Sequence, residues 1–387
     1  MARTVSLSTD IVAQVLRDAG LAGLMPEAIE ARLPDVSRST LSRRLKELTE
    51  AGIVKPLGRG RAVRYVAVAA YGIEDVRRYF EADWQARPSV GFQQQLLQPA
   101  PGLAPDVATR LVNLQALART LDKRFLSDFL IDLSWASSVL EGSTYSDIDT
   151  QALIEYGERN QDKPVEDAVL ILNHKNAIQF LWTHRELSIE NLCQLQAFLT
   201  DGHGLAEVQE SDHFLPAIQR GIPREFEDVR LGRSAYSPPF RPATGFIKQA
   251  FVEIVETAKT LPPVQSAFYL MTRIPYLQVF ANGNKRTARL AANLPLLQAG
   301  LLPLSFVDFK KADYVLGMAA FYELGDIQVL QKVFLEGYVR SIIRGSDLPA
   351  AVRVAGLKSD ELMRTLVTYV HTGQTPEPGA RIFLIAP

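Results

Sequence analysis

The chain has 387 residues, room for two domains or more, and its 47% hydrophobic content supplies real cores. Lys and Arg number 42 against 43 Asp and Glu; a net charge of −1 excludes a global polyelectrolyte, so any basic site must be local. The single cysteine, Cys193, excludes a disulfide within the chain, and its neighbours Leu192, Leu195 and Phe198 favour a buried thiol over a nucleophile. With no apolar run long enough to span a bilayer and no apolar stretch of a signal peptide, a cytoplasmic protein with no membrane partner is expected.

Residues 1–70 predict three helices and a hairpin. Ile11, Val12, Val15 and Leu16 mark one apolar face, and Pro26 opens a second helix carrying Ile29 and Leu33. Ser37 or Ser39 caps a third helix with Leu41, Leu45 and Leu48 at helical spacing, and Gly52 ends it. Ile53 to Pro56 and Val63 to Val68 read as strands joined through Gly58, Arg59, Gly60 and Arg61. This pattern resembles a winged helix-turn-helix. Between Val36 and Val66 stand eight basic residues (Arg38, Arg43, Arg44, Lys46, Lys55, Arg59, Arg61, Arg64) against Glu47 and Glu50, the excess that contact with a phosphate backbone needs. Arg38, Arg43, Arg44, Arg59 and Arg61 are the candidate DNA contacts; a protein-docking module is the alternative.

Residues 71–106 read as a linker with a short helix around Val76 to Trp84, followed by Pro88, a Gln-rich stretch and PAPGLAP. In 107–345, Phe125, Leu126, Phe129, Leu130 and Leu133 recur at helical spacing. That helix runs through Ser137 to Glu141 and stops at Gly142, leaving a carboxylate at the negative end of the dipole, where only a facing cation makes it comfortable. A second helix holds His174 among apolar residues, as a core histidine would sit, and a helix at 189–199 is followed by a polar loop with His203 and His213. Helices at 264–274, 286–299, 311–322 and 326–343 continue a mainly helical fold. The extension 346–387 carries an amphipathic helix, Leu357 to Val370, and a strand-like end, Ile382 to Ile385.

The most chemically suggestive stretch is QVFANGNKRTAR, Gln278 to Arg289. Asn282-Gly283-Asn284 signals a turn, Asn284 is a good N-cap, and the helix after it ends near Gly300. A loop feeding a helix N-terminus suits a phosphate, Gly283 permits close approach, and Arg286 and Arg289 share one face. The alternative is an ordinary turn followed by a solvated basic helix face.

The stretch resembles the signature of the Fic (Fido) family, His-Pro-Phe-x-(Asp/Glu)-Gly-Asn-Gly-Arg-x-x-Arg. Phe280, Gly283, Asn284, Arg286 and Arg289 match it; Gln278 replaces the catalytic His, Val279 the Pro and Asn282 the acidic metal ligand, while Lys285 is as in the phosphorylating Doc branch. SSVLEG, Ser137 to Gly142, resembles the family's inhibitory motif, with Glu141 pairing Arg289. GIPREFEDVRLGRSAYSPPF is similar to its flap, a hairpin in which Val229, Arg230 and Leu231 form one strand, Gly232 the turn and Ala235 to Tyr236 the other, able to take a target segment as an added strand; a plain surface hairpin is the alternative.

The resemblance therefore implies a mainly α chain: a Fic/Fido helical core with a small β-hairpin flap, plus an N-terminal winged helix-turn-helix. It implies binding of ATP through Phe280, Gly283, Asn284, Lys285, Arg286 and Arg289, a protein target, and a homodimer like many relatives. Mg²⁺ affinity falls because Asn282 offers only a neutral carbonyl. Transfer of AMP is weakened because the amide of Gln278 cannot act as a base, a role worth roughly 10²–10⁴-fold. The main expectation is an AMP-transferase-like protein, transferring AMP or phosphate with another base such as His203 or His213 or onto an acceptor that is already anionic; the close alternative is a catalytically silent nucleotide-sensing transcription regulator, and an interaction module is the third reading.

Overall fold

A computed structural model describes residues 9–58, 60, 63–68, 72–88, 90–349, 360–377 and 379–384. The chain divides into two compact units. One contains the N-terminal residues up to Gln93 together with Arg230–Pro239 and Val315–Val329; the other contains Gln94–Val229, Phe240–Tyr314 and the residues from Leu330 onward.

The first unit begins with helices α1 (Thr9–Asp18), α2 (Pro26–Arg32) and α3 (Arg38–Glu50), and then the antiparallel strands β1 (Val54–Leu57) and β2 (Arg64–Ala67). Of the two candidate caps for α3 it is Ser37 that accepts from the Thr40 amide, at 3.2 Å. Val12, Leu16, Ile29, Leu41, Leu45, Leu48 and Val54 form one core. Ile11 departs from the expected apolar face and is 45% exposed, because Val12 and Leu16 suffice to cover α3. Leu24 exchanges backbone hydrogen bonds with Tyr65 at 2.8 and 3.1 Å, and Gly23, at φ +61°, permits it: a Cβ there would lie 2.7 Å from the Tyr65 carbonyl.

Helix α4 (Ile73–Glu81) follows, and after it strand β3 (Val90–Gly91) pairs in parallel with β4 (Tyr236–Ser237). This corrects the expected hairpin about Gly232. Val229 to Leu231 form no strand, because the backbone that would pair with them is engaged elsewhere: the Arg233 carbonyl accepts from Arg87 and the Ala235 amide donates to Glu323.

The second unit is helical. It contains α5 (Pro105–Asn113), α6 (Lys123–Glu141), α7 (Asp147–Tyr156), α8 (Val165–Thr183), α9 (Ile189–Leu199), α10 (Phe246–Thr260) and α11 (Pro263–Leu277). The motif helix α12 (Asn284–Ala291) and α13 (Asn293–Gln298) come next, then α14 (Lys311–Leu324), which starts here and ends in the first unit, α15 (Gln328–Arg344) and α16 (Asp360–Thr372). Helix α11 is buried along almost its whole length, as befits a central helix, and packs against α10 and α12, while α6 packs against α8. The linker is fastened to α11: Arg273, fully buried, donates to the carbonyls of Gln98, Pro99 and Pro101, and the Tyr269 hydroxyl to Leu97.

Three further expectations change. The helix expected at 286–299 is two, broken near Ala292 three residues before Pro295, whose ring nitrogen cannot donate. The terminal piece from Ile382 forms part of a 3₁₀ turn, Arg381–Phe383, that buries Phe383, with Ile385 outside the described residues. The C-terminal helix is described only from Asp360, so its expected start at Leu357 also lies outside them.

Candidate functional site

Helix α11 ends at Gln278 in the left-handed region, φ 51° and ψ 64°. Both ends of its side-chain amide are committed: Nε2 donates to the Pro275 carbonyl at 2.7 Å, and Oε1 accepts from Asn284 Nδ2 at 2.9 Å. Asn284 also bridges the Phe280 backbone, accepting from its N–H at 2.9 Å and donating to its carbonyl at 2.8 Å, so it clamps the loop shut. Expected as the N-cap, Asn284 is instead the first helical residue; Gly283 is the cap, because the Asn284 side chain is spent on the loop. Gly283 has φ +79°, and a Cβ there would come within 2.7 Å of Thr200 Cγ2, so both conformation and packing demand glycine. Phe280 is fully buried, edge-on to Phe251.

The two arginines of the motif part company. Arg286, 1% exposed, donates to the carbonyls of Leu199 at 2.6 Å and His213 at 2.7 Å and to Asn282 Oδ1 at 3.2 Å, so its guanidinium holds loops together. Burial draws its pKa down to about 10, with Glu141 working in the opposite direction. Arg289 faces α6 instead. Its Nε donates to Ser137 Oγ at 2.9 Å, and Nη2 donates to Glu141 Oε1 at 2.7 Å and to the Ser137 carbonyl at 3.2 Å. Lys285 Nζ stands 3.9 Å from the other Glu141 oxygen.

Burial by itself would raise the Glu141 pKa; Arg289, then Lys285 and Arg286, overcome it and hold the carboxyl far below the usual range. The helix that presents Glu141 is capped by Gly142 at φ 118°, whose amide donates back to Ser138 and Val139. Arg289 Nη1 and the nearby Tyr314 hydroxyl, both buried, make no hydrogen bond of ordinary geometry.

Behind this pair sits His174, fully buried as its sequence context predicts. Its Nδ1 lies 2.7 Å from the Leu170 carbonyl, which can only accept, so Nδ1 carries the hydrogen and Nε2 accepts from Ser137 Oγ at 2.7 Å. Ser137 thus takes a hydrogen bond from Arg289 and gives one to His174. Burial first, and Arg289 second, push the His174 pKa down to about 3.

Asn282 does not fit a Mg²⁺ ligand. Its Oδ1 accepts from the Gly283 amide and the Arg286 guanidinium, and its Nδ2 donates to the Asp212 carbonyl, so its only side-chain oxygen faces donors. Among the described residues no group of three or more His, Cys, Asp or Glu could hold a metal ion. Sequence reasoning missed Arg224 and Gln196. Arg224 Nε donates to the Gln278 carbonyl at 2.6 Å, and Gln196 Nε2 to that of Asn282 at 3.0 Å. Neither residue carries a sequence signal, since each reaches the loop from a distant part of the chain. Of the two candidate replacement bases, His203 Nε2 donates to Asn173 Oδ1 at 2.8 Å, while His213 Nε2 is 3.6 Å from Glu166 Oε1 and the His213 carbonyl accepts from Arg286.

In the first unit, Arg38 and Arg43 are exposed on α3 and Arg44 is half-buried, in surface pairs with Glu27 and Glu47 at 2.7 to 3.9 Å. Arg59 and Arg61 lie outside the described residues. Lys55, counted above in the basic excess, is turned inward and donates to the Leu324 carbonyl, which removes it from any phosphate contact. Among the described residues no helix is long and apolar enough to cross a membrane.

A loop thus feeds the N-terminus of α12, and the buried Arg289 is held by Glu141 from another helix. Residues 186–296 match the Fic/DOC family and residues 10–56 a helix-turn-helix domain. The chain thus carries both kinds of segment. Among solved structures it is similar to Fic-1 (residues 134–508) from C. elegans, at 20% identity over 65% of this chain and 73% of that one, with a TM-score of 0.47. It is also similar to a Fic domain containing signaling protein from Bacteroides thetaiotaomicron (18%, covering 62% and 95%, TM-score 0.47) and a Fic family protein from Desulfovibrio desulfuricans (16%, covering 71% and 86%, TM-score 0.48).

Proposed function

We propose that the Fic-type segment binds a nucleotide, ATP, through the N-terminus of α12 and Arg289, and that Glu141 holds this site shut. The observation that carries this reading is the buried Arg289–Glu141 pair at 2.7 Å beside an Arg289 Nη1 without a hydrogen bond. A guanidinium with donor capacity left over can exchange one carboxylate for a phosphate without a new desolvation cost. The winged helix supplies the output: DNA binding through Arg38, Arg43, Arg44, Arg59 and Arg61, so that nucleotide occupancy regulates transcription. The locked amide of Gln278 favours sensing over rapid chemistry, since it has no proton to exchange and both its ends are engaged.

AMP or phosphate transfer onto a protein hydroxyl is the second reading, favoured by one observation. His213 is half-buried beside Glu166, and burial first, then Arg286, lowers its pKa, which favours the neutral imidazole that a base requires. In that case Gln278→His raises label transfer from α-labelled ATP, and a double variant with Asn282→Asp raises it further; silence in both variants would exclude transfer.

Calorimetry of ATP against wild type and Glu141→Gly tests the main reading. Binding at least tenfold tighter in the variant supports it, and the absence of binding in both removes it.

A further inference from the structure

The end of α14 joins two parts of the first unit that are far apart in sequence. Glu323 is fully buried and its two oxygens accept five hydrogen bonds. Arg87 Nη1 reaches both oxygens at 3.1 Å, the Tyr79 hydroxyl reaches Oε2 at 3.3 Å, and Ser234 Oγ and the Ala235 amide reach Oε1 at 2.9 and 3.0 Å. Arg87 Nη2 continues to the Arg233 carbonyl at 2.9 Å, and its guanidinium lies 4.7 Å from the centre of the Phe80 ring. Three residues further on, β3 pairs with β4, and the Val90 amide donates to the Ala235 carbonyl at 2.9 Å. Segment 233–237 is therefore held from two sides, by a carboxylate and by a strand.

The next residue along α14 faces the wing. Leu324 is the last residue of the helix, so its carbonyl has no partner within the helix and sits at the negative end of the dipole. Gly325, at φ +64°, and Asp326 turn the chain back with their amides on Phe321 and Ala320, and the Leu324 carbonyl is left for an outside donor. That donor is Lys55, in the middle of wing strand β1. Desolvation lowers the Lys55 pKa and Asp326 opposes it, as fits an ammonium taken out of water to cap a helix. Consecutive residues of one helix end thus grip the wing through Lys55 and segment 233–237 through Glu323.

We infer that Glu323 and Leu324 form a two-ended clasp that links the position of the wing to that of segment 233–237, with Lys55, Arg87 and Glu323 as its positioning residues. The clasp passes through a Glu323 carboxylate whose two oxygens accept five hydrogen bonds in a buried setting, which leaves it few alternative arrangements, so a displacement at one end is transmitted and not absorbed. Its functional consequence rests on the proposed DNA-binding role of the wing: a duplex docking there changes the order of the segment that the Fic resemblance assigns to target docking. Because β4 already carries β3 on one edge, an incoming strand must use the other edge or displace Val90–Gly91.

Hydrogen exchange on the full chain, read by mass spectrometry at peptides covering 86–92 and 230–239, tests the clasp without DNA. Lys55→Met removes the wing's grip and keeps the length of the side chain. It is expected to speed exchange at the Ala235 and Val90 amides at least tenfold while exchange in α1 stays unchanged. Unchanged exchange at 230–239 in Lys55→Met overturns the clasp. Lys55→Gln, which keeps a polar side chain but shortens it, is expected to give a smaller rise at the same amides and serves if Lys55→Met does not fold; no rise there would overturn the clasp equally.

A second arm adds a 20-base-pair duplex at low salt, with binding followed by fluorescence anisotropy. Slower exchange at 230–239 in wild type, absent in Lys55→Met, extends the clasp to DNA. A duplex that binds and leaves 230–239 unmoved contradicts that extension, and a duplex that fails to bind removes the DNA-binding role while the first arm still decides on the clasp.

Discussion

Two buried arginine–carboxylate pairs in this chain differ in how completely they are satisfied. Glu323 receives five hydrogen bonds from four residues. Glu141 receives one, from Arg289, with Lys285 at 3.9 Å; the contrast lies in the carboxylates, since Arg87 Nε and Arg289 Nη1 are alike buried without a hydrogen bond. Taking a charge out of water costs several kcal/mol, and only a full set of partners offsets it. A saturated carboxylate such as Glu323 therefore fixes a position. A sparsely bonded one such as Glu141 is what the proposed exchange for a ligand anion requires. Pair geometry alone does not distinguish them: their nearest N–O distances are 3.1 and 2.7 Å, and the shorter belongs to the sparsely bonded pair.

Breaking the saturated pair has the largest expected effect. Glu323→Ala strands Arg87 and three neutral donors, and chemical denaturation should register a loss of about 3–5 kcal/mol. Glu141→Gly, by contrast, leaves Arg289 with the Ser137 oxygens and removes an unfavourable helix-end charge, so its stability cost is smaller. A loss as large as that of Glu323→Ala would erase the distinction between the two pairs.

Acid probes the network behind Glu141. His174 is neutral in the fold with a pKa near 3, against the usual 6.5, so between these values the unfolded chain binds a proton that the folded one does not. Stability therefore falls as pH drops below about 6.5, by up to about 1.4 kcal/mol per pH unit from this residue. Glu141, whose pKa is depressed from 4.5, adds a loss in the same direction only below about that pH. Between pH 6.5 and 4.5 the loss comes from His174 and, in the same direction, from His213, whose pKa burial also lowers, so His174→Gln is expected to reduce the slope of the denaturation midpoints and His213→Gln to remove the remainder.

The smallest effect on stability belongs to the surface of α3. Its arginines sit in exposed ion pairs worth roughly 0–1 kcal/mol, so Arg38→Ala or Arg43→Ala leaves folding nearly untouched. Each is expected to lower the slope of log affinity for duplex DNA against log salt by about 1 for every phosphate left without its arginine.

What could be read from the sequence follows the range of the interactions involved. Periodicity placed α3, α6, α9 and α11 within a few residues, since amphipathic spacing is local. The Arg289–Glu141 partnership was also legible, although 148 positions separate them, because both stand in recognisable motifs. The flap hairpin was misread: Gly232 between apolar residues is a sound turn signal, but Glu323 and Arg87 claim the backbone groups at 233–235, and neither has a local signature. The same reason applies to Lys55, whose charge adds to the basic excess of the sequence although its side chain is turned onto the Leu324 carbonyl in the fold. The departure of Asn284 from the expected cap has a subtler cause. A side chain that can cap a helix can equally bond the preceding loop, and here the Phe280 backbone wins.

The central claim is that Glu141 occupies an anion site built on Arg289. Calorimetric titration of ATP into wild type, Glu141→Gly and the double variant Glu141→Gly/Arg289→Ala tests it most directly. The account predicts weak binding by wild type, an affinity at least tenfold higher in Glu141→Gly, equivalent to about 1.4 kcal/mol, and loss of that gain in the double variant. Equal affinity in all three proteins would contradict it.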